Sequence, residues 1–78
     1  MNKSIDYFLS LPYTIQIIPD VKKGGYVARI RELPGCLTQA DTWEELLEMI
    51  GDAKRLWLAS ALEAGDPIPE PTGKFAKP

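Results

Sequence analysis

Apolar and polar residues alternate with a period of two near the start of the chain. This alternation over residues 13–17 is typical of a half-buried β-strand. Residues 26–30 form a second run, rich in β-branched and aromatic side chains, and the turn-forming segment 19–25 joins the two into a predicted hairpin. A short, largely apolar run at residues 36–40 predicts a third strand. The simplest arrangement is a three-stranded antiparallel β-meander.

The apolar spacing changes to a helical period after the third strand. Thr42 and Glu45 have the spacing of a capping box, in which each side chain hydrogen-bonds the other residue's backbone N–H. Asp41 and Glu44 have the same spacing one residue earlier, so the start of the helix is left open by one residue. Gly65 is a natural stop. One long helix, 43–64, is predicted to pack across the sheet.

One stripe of this helix is predicted to be buried, because its apolar residues recur three or four apart. The stripe comprises Trp43, Leu46, Leu47, Ile50, Ala53, Trp57, Ala61 and Ala64. Leu56, Leu58 and Leu62 lie outside the stripe and are predicted to be exposed on a monomer. Exposed apolar patches mark interfaces, so these three leucines predict a surface for self-association into a dimer or tetramer.

Shorter segments are predicted at the two ends. Ser4 can cap a short N-terminal helix that ends before Pro12, since the residue before proline disfavours the α conformation. The alternating prolines of residues 66–71 favour an extended chain. We therefore predict an α+β fold with a single domain over residues 1–71 and a C-terminal tail over 72–78.

Composition excludes several classes of function. The chain has 78 residues, a formal net charge of −2, one cysteine and no histidine. The charge gives no general attraction to nucleic acid, and a lone Cys36 without histidine makes neither a cysteine-protease site nor a zinc site. Cys36 is predicted to pack in the core, and no cofactor or metal is expected. The sequence shows no membrane-spanning run or signal peptide, so we expect a cytoplasmic protein.

The acidic residues allow two interpretations. The acids that could belong to a two-metal nuclease site are Asp20, Glu32, Asp41, Glu44, Glu45, Glu48 and Asp52. Asp41 is better explained by capping. Three of these acids recur every four residues along the predicted helix and are better explained as a solvated helix face. They are Glu44, Glu48 and Asp52. The aromatic residues Tyr26, Trp43 and Trp57 could line a ligand pocket, but their spacing favours the core.

Several segments together resemble the HicB antitoxin family in their order and spacing. The resemblance covers nearly the whole chain, from the Gly-Gly-Tyr-Val-Ala run at 24–28 to the Ile-Pro-Glu-Pro run at 68–71. Ala40 stands where the family usually has glycine. The residues that match the family's structural positions are Gly25, Tyr26, Leu33, Pro34, Gly35, Cys36, Asp41, Thr42, Trp57, Pro69 and Pro71.

The resemblance implies a partial RNase H-like domain, in which a helix crosses a β-meander and a further strand often follows the helix. It also implies a bacterial antitoxin, not an enzyme, which binds the small basic ribonuclease HicA and blocks its cleavage of mRNA. Many family members carry a C-terminal DNA-binding segment. Nothing after Pro71 here could form one, so we expect no DNA binding by this chain alone.

The expected mechanism is inhibition by binding, in which an acidic, oligomeric domain covers the active surface of a basic partner. Glu44, Glu48 and Asp52 are the predicted contacts to this toxin. Two alternatives stay open. One is a stand-alone, oligomeric HicB-like binding or assembly module without a toxin. The other is a metal-dependent nuclease that uses Asp20, Glu32 and Asp41.

Overall fold

Three antiparallel strands and two helices make up residues 3–71, the part of the chain that the computed structural model describes. In chain order they are α1 (Ile5–Leu9), β1 (Ile15–Pro19), β2 (Tyr26–Ile30), β3 (Leu37–Ala40) and α2 (Trp43–Ala64). The sheet order is β1-β2-β3. Helix α2 packs on β2 and β3, and α1 packs on α2. The predicted α+β meander with a crossing helix is confirmed; the predicted tail at 72–78 lies outside the described residues.

The β1–β2 turn is built from Asp20 and two glycines. The Asp20 carboxylate accepts hydrogen bonds from the backbone N–H groups of Lys22 and Lys23, at 3.1 and 3.2 Å. Gly24 and Gly25 both have positive φ, +84° and +80°, a region that glycine adopts without steric cost. The turn therefore needs an acceptor at its first residue and glycine at its last two.

The β2–β3 turn is a type II turn, as its Pro-Gly pair predicts. The Cys36 N–H donates to the Leu33 carbonyl at 3.0 Å, and Gly35 has φ +82°. Leu33 and Cys36 are buried. The Trp57 indole Nε1 donates to the Pro34 carbonyl at 2.7 Å, which ties the middle of α2 to this turn.

Helix α2 begins and ends at the residues that the sequence indicates. Thr42 is the N-cap, and its hydroxyl accepts a hydrogen bond from the Glu45 N–H at 3.2 Å. This decides between the two possible caps. Gly65 ends the helix in the left-handed conformation, with φ +72°. In the same way Ser4 caps α1.

The buried stripe of α2 differs from the predicted one at both ends. Trp43 is 47% exposed, and Leu47 and Ala64 are also exposed. The expectation that Leu58 lies on an exposed surface is wrong, because its side chain is 0% exposed. The reason is α1, whose buried Phe8 belongs to the same core cluster as Leu58. A short helix packed on α2 therefore widens the buried arc beyond the stripe that faces the sheet.

Strand β1 lies two residues later than predicted. Its pairing with β2 runs from Ile15 opposite Ile30 to Pro19 opposite Tyr26. Tyr13 precedes the strand yet is buried, and its hydroxyl donates to the Pro69 carbonyl at 2.6 Å. The burial of Tyr13 thus comes in part from the C-terminal segment.

Residues 66–71 run back past the N-terminal part of the chain. Ile68 packs against the core. Glu70 accepts hydrogen bonds from Lys3 Nζ at 2.8 Å and from the Tyr7 hydroxyl at 3.0 Å. These bonds lower the pKa of the Glu70 carboxyl. Within residues 3–71 no strand follows α2.

We predict that Gly25→Ala destabilises the fold far more than Gly24→Ala. Both substitutions put alanine at positive φ, which costs about 1–2 kcal/mol. A Cβ atom on Gly25 would also lie 2.5 Å from the Ala40 carbonyl oxygen, whereas nothing lies within 4 Å of one on Gly24. We expect Gly25→Ala to lower the free energy of unfolding by at least about 2 kcal/mol more than Gly24→Ala in urea denaturation. Equal losses would contradict the close approach.

We predict an alkaline loss of stability that depends on Tyr13. The pKa of Tyr13 is raised to about 12 from an ordinary value of 10.0. Burial is the largest cause, and the negative charges of Glu70 and Glu32 raise the pKa further. Because the folded state favours the protonated phenol, this stabilisation is complete below pH 10 and is lost as the pH rises toward 12. Over that range, we expect the free energy of unfolding to fall by roughly 1–2 kcal/mol more in the unchanged chain than in Tyr13→Phe. Parallel curves for the two chains would refute the prediction.

Candidate functional site

An acidic concavity lies where the β1–β2 turn, the end of β3 and the first turns of α2 meet. It is an open depression of about 440 Å³. Four carboxylates line it, from Asp20, Asp41, Glu45 and Glu48. Of the described residues that line this depression, only Lys23 is basic. The depression therefore presents mainly negative charge.

The local sequence explains why negative charge collects here. Residues 41–53 contain five of the chain's 11 acidic residues and no lysine or arginine. Glu44 and Glu45 stand in the first turn of α2, where the helix dipole favours carboxylates. That effect falls off beyond the first turn, so it does not account for Glu48 or Asp52. The acidic run therefore extends past what helix stability requires.

Partly and fully exposed apolar groups accompany the charges. Tyr26 and Met49 line the concavity. Trp43 packs edge-to-face against Tyr26, with ring centroids 5.7 Å apart, while nearly half of its surface faces solvent. An aromatic side chain held in place but still exposed is the kind of group that dominates the energy of protein interfaces. The surface combines charge for attraction with an anchored aromatic residue for contact.

The predicted toxin contacts only partly coincide with this concavity. Glu44, Glu48 and Asp52 are all exposed on α2, but only Glu48 lines the depression. Sequence reasoning missed Asp20, Asp41 and Glu45 as members of the site. The run of acids without a base could have indicated Glu45, whereas Asp20 joins only through the fold of the hairpin.

A second depression lies at the opposite end of β3. It is an open groove of about 720 Å³ between the β2–β3 turn, the second half of α2 and the segment that follows it. Leu37, which is 60% exposed, and Leu56, which is 70% exposed, both line it. Of the other two leucines predicted for self-association, Leu62 is 37% exposed and Leu58 is buried. Of the three leucines predicted for self-association, Leu56 is thus the most exposed.

Of the three residues considered for a nuclease site, Glu32 lies apart from Asp20 and Asp41. Glu32 accepts hydrogen bonds from the backbone N–H and the hydroxyl of Thr14, at 2.9 and 2.8 Å. Burial tends to raise its pKa, but these bonds outweigh burial and the pKa lies below its usual range. Asp20 and Asp41 line the acidic concavity instead. Residues 3–71 contain no group of three histidine, cysteine or acidic side chains placed to hold a metal ion.

Cys36 is a core residue in this structure. Its side chain is buried, and burial raises the pKa of the thiol. A buried thiol of raised pKa is a poor nucleophile.

Among residues 3–71, no helix is long and apolar enough to cross a membrane.

Comparison with known proteins identifies the family. The family described as HicB-like antitoxin of bacterial toxin-antitoxin system matches residues 13–75. The chain belongs to this HicB-like antitoxin family. The resemblance seen in the sequence is confirmed, and the matched family is one of antitoxins, for which the partner in general is a toxin.

Similar HicB-like chains occur in different organisms. A UPF0150 protein of Synechocystis sp. is 42% identical over 65 residues, which cover 83% of this chain and 88% of the relative. A UPF0150 protein of Thermoplasma acidophilum is 37% identical over 59 residues, covering 76% of this chain and 84% of the relative. One of Archaeoglobus fulgidus is 40% identical over 42 residues, covering 54% and 61%. Relatives therefore include archaeal as well as bacterial proteins.

The family-motif residues of this HicB-like chain lie mostly at the corners of the fold. Gly25 allows the close approach to Ala40, and Thr42 caps α2. The Pro34 carbonyl binds Trp57, and the Pro69 carbonyl binds Tyr13. Pro71 is half-buried at the end of the described chain. Asp41 differs from these, because it lines the acidic concavity.

Proposed function

We propose that this HicB-like chain neutralises a small, basic, HicA-like ribonuclease by binding it at the acidic concavity. The observation that carries the proposal is the convergence of Asp20, Asp41, Glu45 and Glu48 on one open surface. A ribonuclease that binds mRNA needs a basic surface for the phosphates. A protein that presents carboxylates to the same surface competes directly with RNA.

The proposed contact has two physical parts. Carboxylates of the concavity attract the basic partner over several ångströms and speed association, an effect that salt screens. Trp43 and Tyr26 supply apolar area that is removed from water on contact and slows dissociation. Glu44 and Asp52, exposed on the same helix, would lie at the rim of such an interface.

In this mechanism the chain contributes no catalytic group. It acts by covering the partner's active surface, and an mRNA-cleaving partner requires the two proteins to meet in the cytoplasm.

We also propose that the chain is a homo-oligomer, because Leu56 and Leu62 remain exposed on the single copy. The same exposed leucines support the second candidate function, a stand-alone oligomeric module that has no toxin.

Capture of the partner separates these two functions. The tagged chain would be recovered from a lysate of its source organism, and a copurifying small basic protein would be expressed and assayed for RNA cleavage. We expect RNA cleavage by the purified partner alone and its loss when one equivalent of this chain is added. Recovery of the chain only with itself, or a partner whose cleavage of RNA this chain does not reduce, would contradict the proposal.

A charge-reversal pair tests the binding surface. We predict that Glu45→Lys with Glu48→Lys lowers the association rate with the toxin at least about tenfold at low salt, because repulsion replaces attraction. Stopped-flow or surface-based kinetics at two salt concentrations would measure this rate.

The matched control is Asp6→Lys with Glu63→Lys. It changes the net charge by the same amount at two exposed residues that do not line the concavity. If both pairs reduce the association rate equally, only total charge matters and the concavity is not the binding site.

A further inference from the structure

Within residues 3–71, strand β3 is an edge strand, and some of its backbone hydrogen-bonding groups have no partner. In the register of β2 with β3, the numbers of two opposite residues add to 66. Ile30 and Cys36 fit this register and form a hydrogen-bonded pair, because the Ile30 N–H donates to the Cys36 carbonyl. Backbone groups alternate in direction along an antiparallel strand, so Thr38 and Ala40 direct theirs toward β2. The N–H and C=O groups of Leu37 and Gln39 therefore point away from the sheet.

The other edge of the sheet is protected in a way that β3 is not. By the same alternation, the outward positions of β1 are Ile15, Ile17 and Pro19, since the Arg31 N–H donates to the Thr14 carbonyl. Proline has no N–H to offer, which blunts that edge. Strand β3, Leu-Thr-Gln-Ala, has no proline and no charged residue. An unprotected edge is a template for pairing with another strand.

The flank of α2 beside this edge is apolar. Met49 lies near the Ala40 end of β3 and Leu56 near the Leu37 end, because each shares a depression with that part of the strand. The two side chains are seven residues apart, so they project from the same side of the helix. Both are exposed. A strand that pairs with β3 would therefore bring the element packed on its own sheet into contact with Met49 and Leu56.

We propose that a second copy of this chain pairs with β3, related by a two-fold axis that is perpendicular to the sheet and passes between the two opposed Thr38 residues. In this register Leu37 lies opposite Gln39 of the other copy, and each such pair exchanges two backbone hydrogen bonds, four in total. The two sheets become one continuous six-stranded antiparallel sheet. Both α2 helices lie on the same face of it, antiparallel to each other.

The symmetry makes the helix flanks complementary. The two-fold axis makes the paired β3 strands run in opposite directions. Leu56 of one copy therefore lies near Met49 of the other, and the reciprocal contact forms at the same time. A two-fold axis also sets like residues near one another, so charge at its centre would repel itself. The lack of charge on β3 suits self-pairing and does not suit a basic partner. The inference is independent of the toxin proposal, because its test uses this chain alone.

An engineered cysteine at the axis tests the register. Directly opposed residues that do not exchange hydrogen bonds lie about 4.5 Å apart between Cα atoms, and this distance permits a disulfide. We expect Thr38→Cys to form a covalent dimer as its main product under mild oxidation. The matched control is Gln16→Cys, which also lies on an edge strand with its backbone directed toward β2. Cys36 is buried and stays unreacted in both.

A second pair of variants tests the interface without cross-linking. Leu47 and Leu56 are both exposed but nine residues apart, so they project from opposite sides of α2. By sedimentation, the unchanged chain should have twice its 8.7 kDa mass. We expect Leu56→Glu to weaken dimerisation at least tenfold and Leu47→Glu to leave it unchanged. A chain that stays monomeric at micromolar concentrations, equal effects of the two variants, or equal cross-linking of Thr38→Cys and Gln16→Cys would overturn the proposal.

Discussion

The close approach of Gly25 to the Ala40 carbonyl is the constraint on which the functional end of the molecule depends. No side chain fits between the β1–β2 turn and the backbone where β3 ends. Because the two backbones are so close, Asp20 of the turn and Asp41 of the corner line the same depression. Helix α2 starts two residues after Asp41, following the cap at Thr42. A bulkier residue at 25 would separate the walls of the acidic concavity as well as weaken the sheet.

Short-range signals in the sequence predicted the parts of the fold that depend on short-range contacts. The cap at Thr42, the Pro34-Gly35 turn and the stop at Gly65 each involve residues within four positions of one another. Burial along α2 was predicted less well, since it depends on what lies over each turn of the helix. Leu58 is buried by a helix about fifty positions earlier in the chain, and Trp43 is exposed because the helix begins at the margin of the sheet. Periodicity reports one face of a helix but not the number of neighbours around it.

The residues of the candidate site also divide into those that nearby sequence can indicate and those that only the fold brings together. Glu48 was identified from the sequence because it belongs to a regular acidic face, and Glu45 belongs to the same run of acids but was assigned only to capping. Asp20 was out of reach, because its contribution depends on the hairpin that brings residue 20 beside residue 41. Its carboxylate also holds the turn through Lys22 and Lys23, which is a sufficient local reason for an aspartate there. A residue with a complete local explanation gives no sequence signal of a second role.

One electrostatic rule separates the two surfaces proposed for this chain. A symmetric contact between identical copies brings each central residue close to its own duplicate, so a charge there is repelled and an uncharged strand such as β3 is favoured. A contact with a different protein has no such restriction, and opposite charge then speeds the encounter. Five acidic residues between 41 and 53 therefore suit a basic partner, whereas Leu37 to Ala40 suit another copy. The boundary between the two surfaces falls at the end of β3, where the uncharged strand gives way to Asp41.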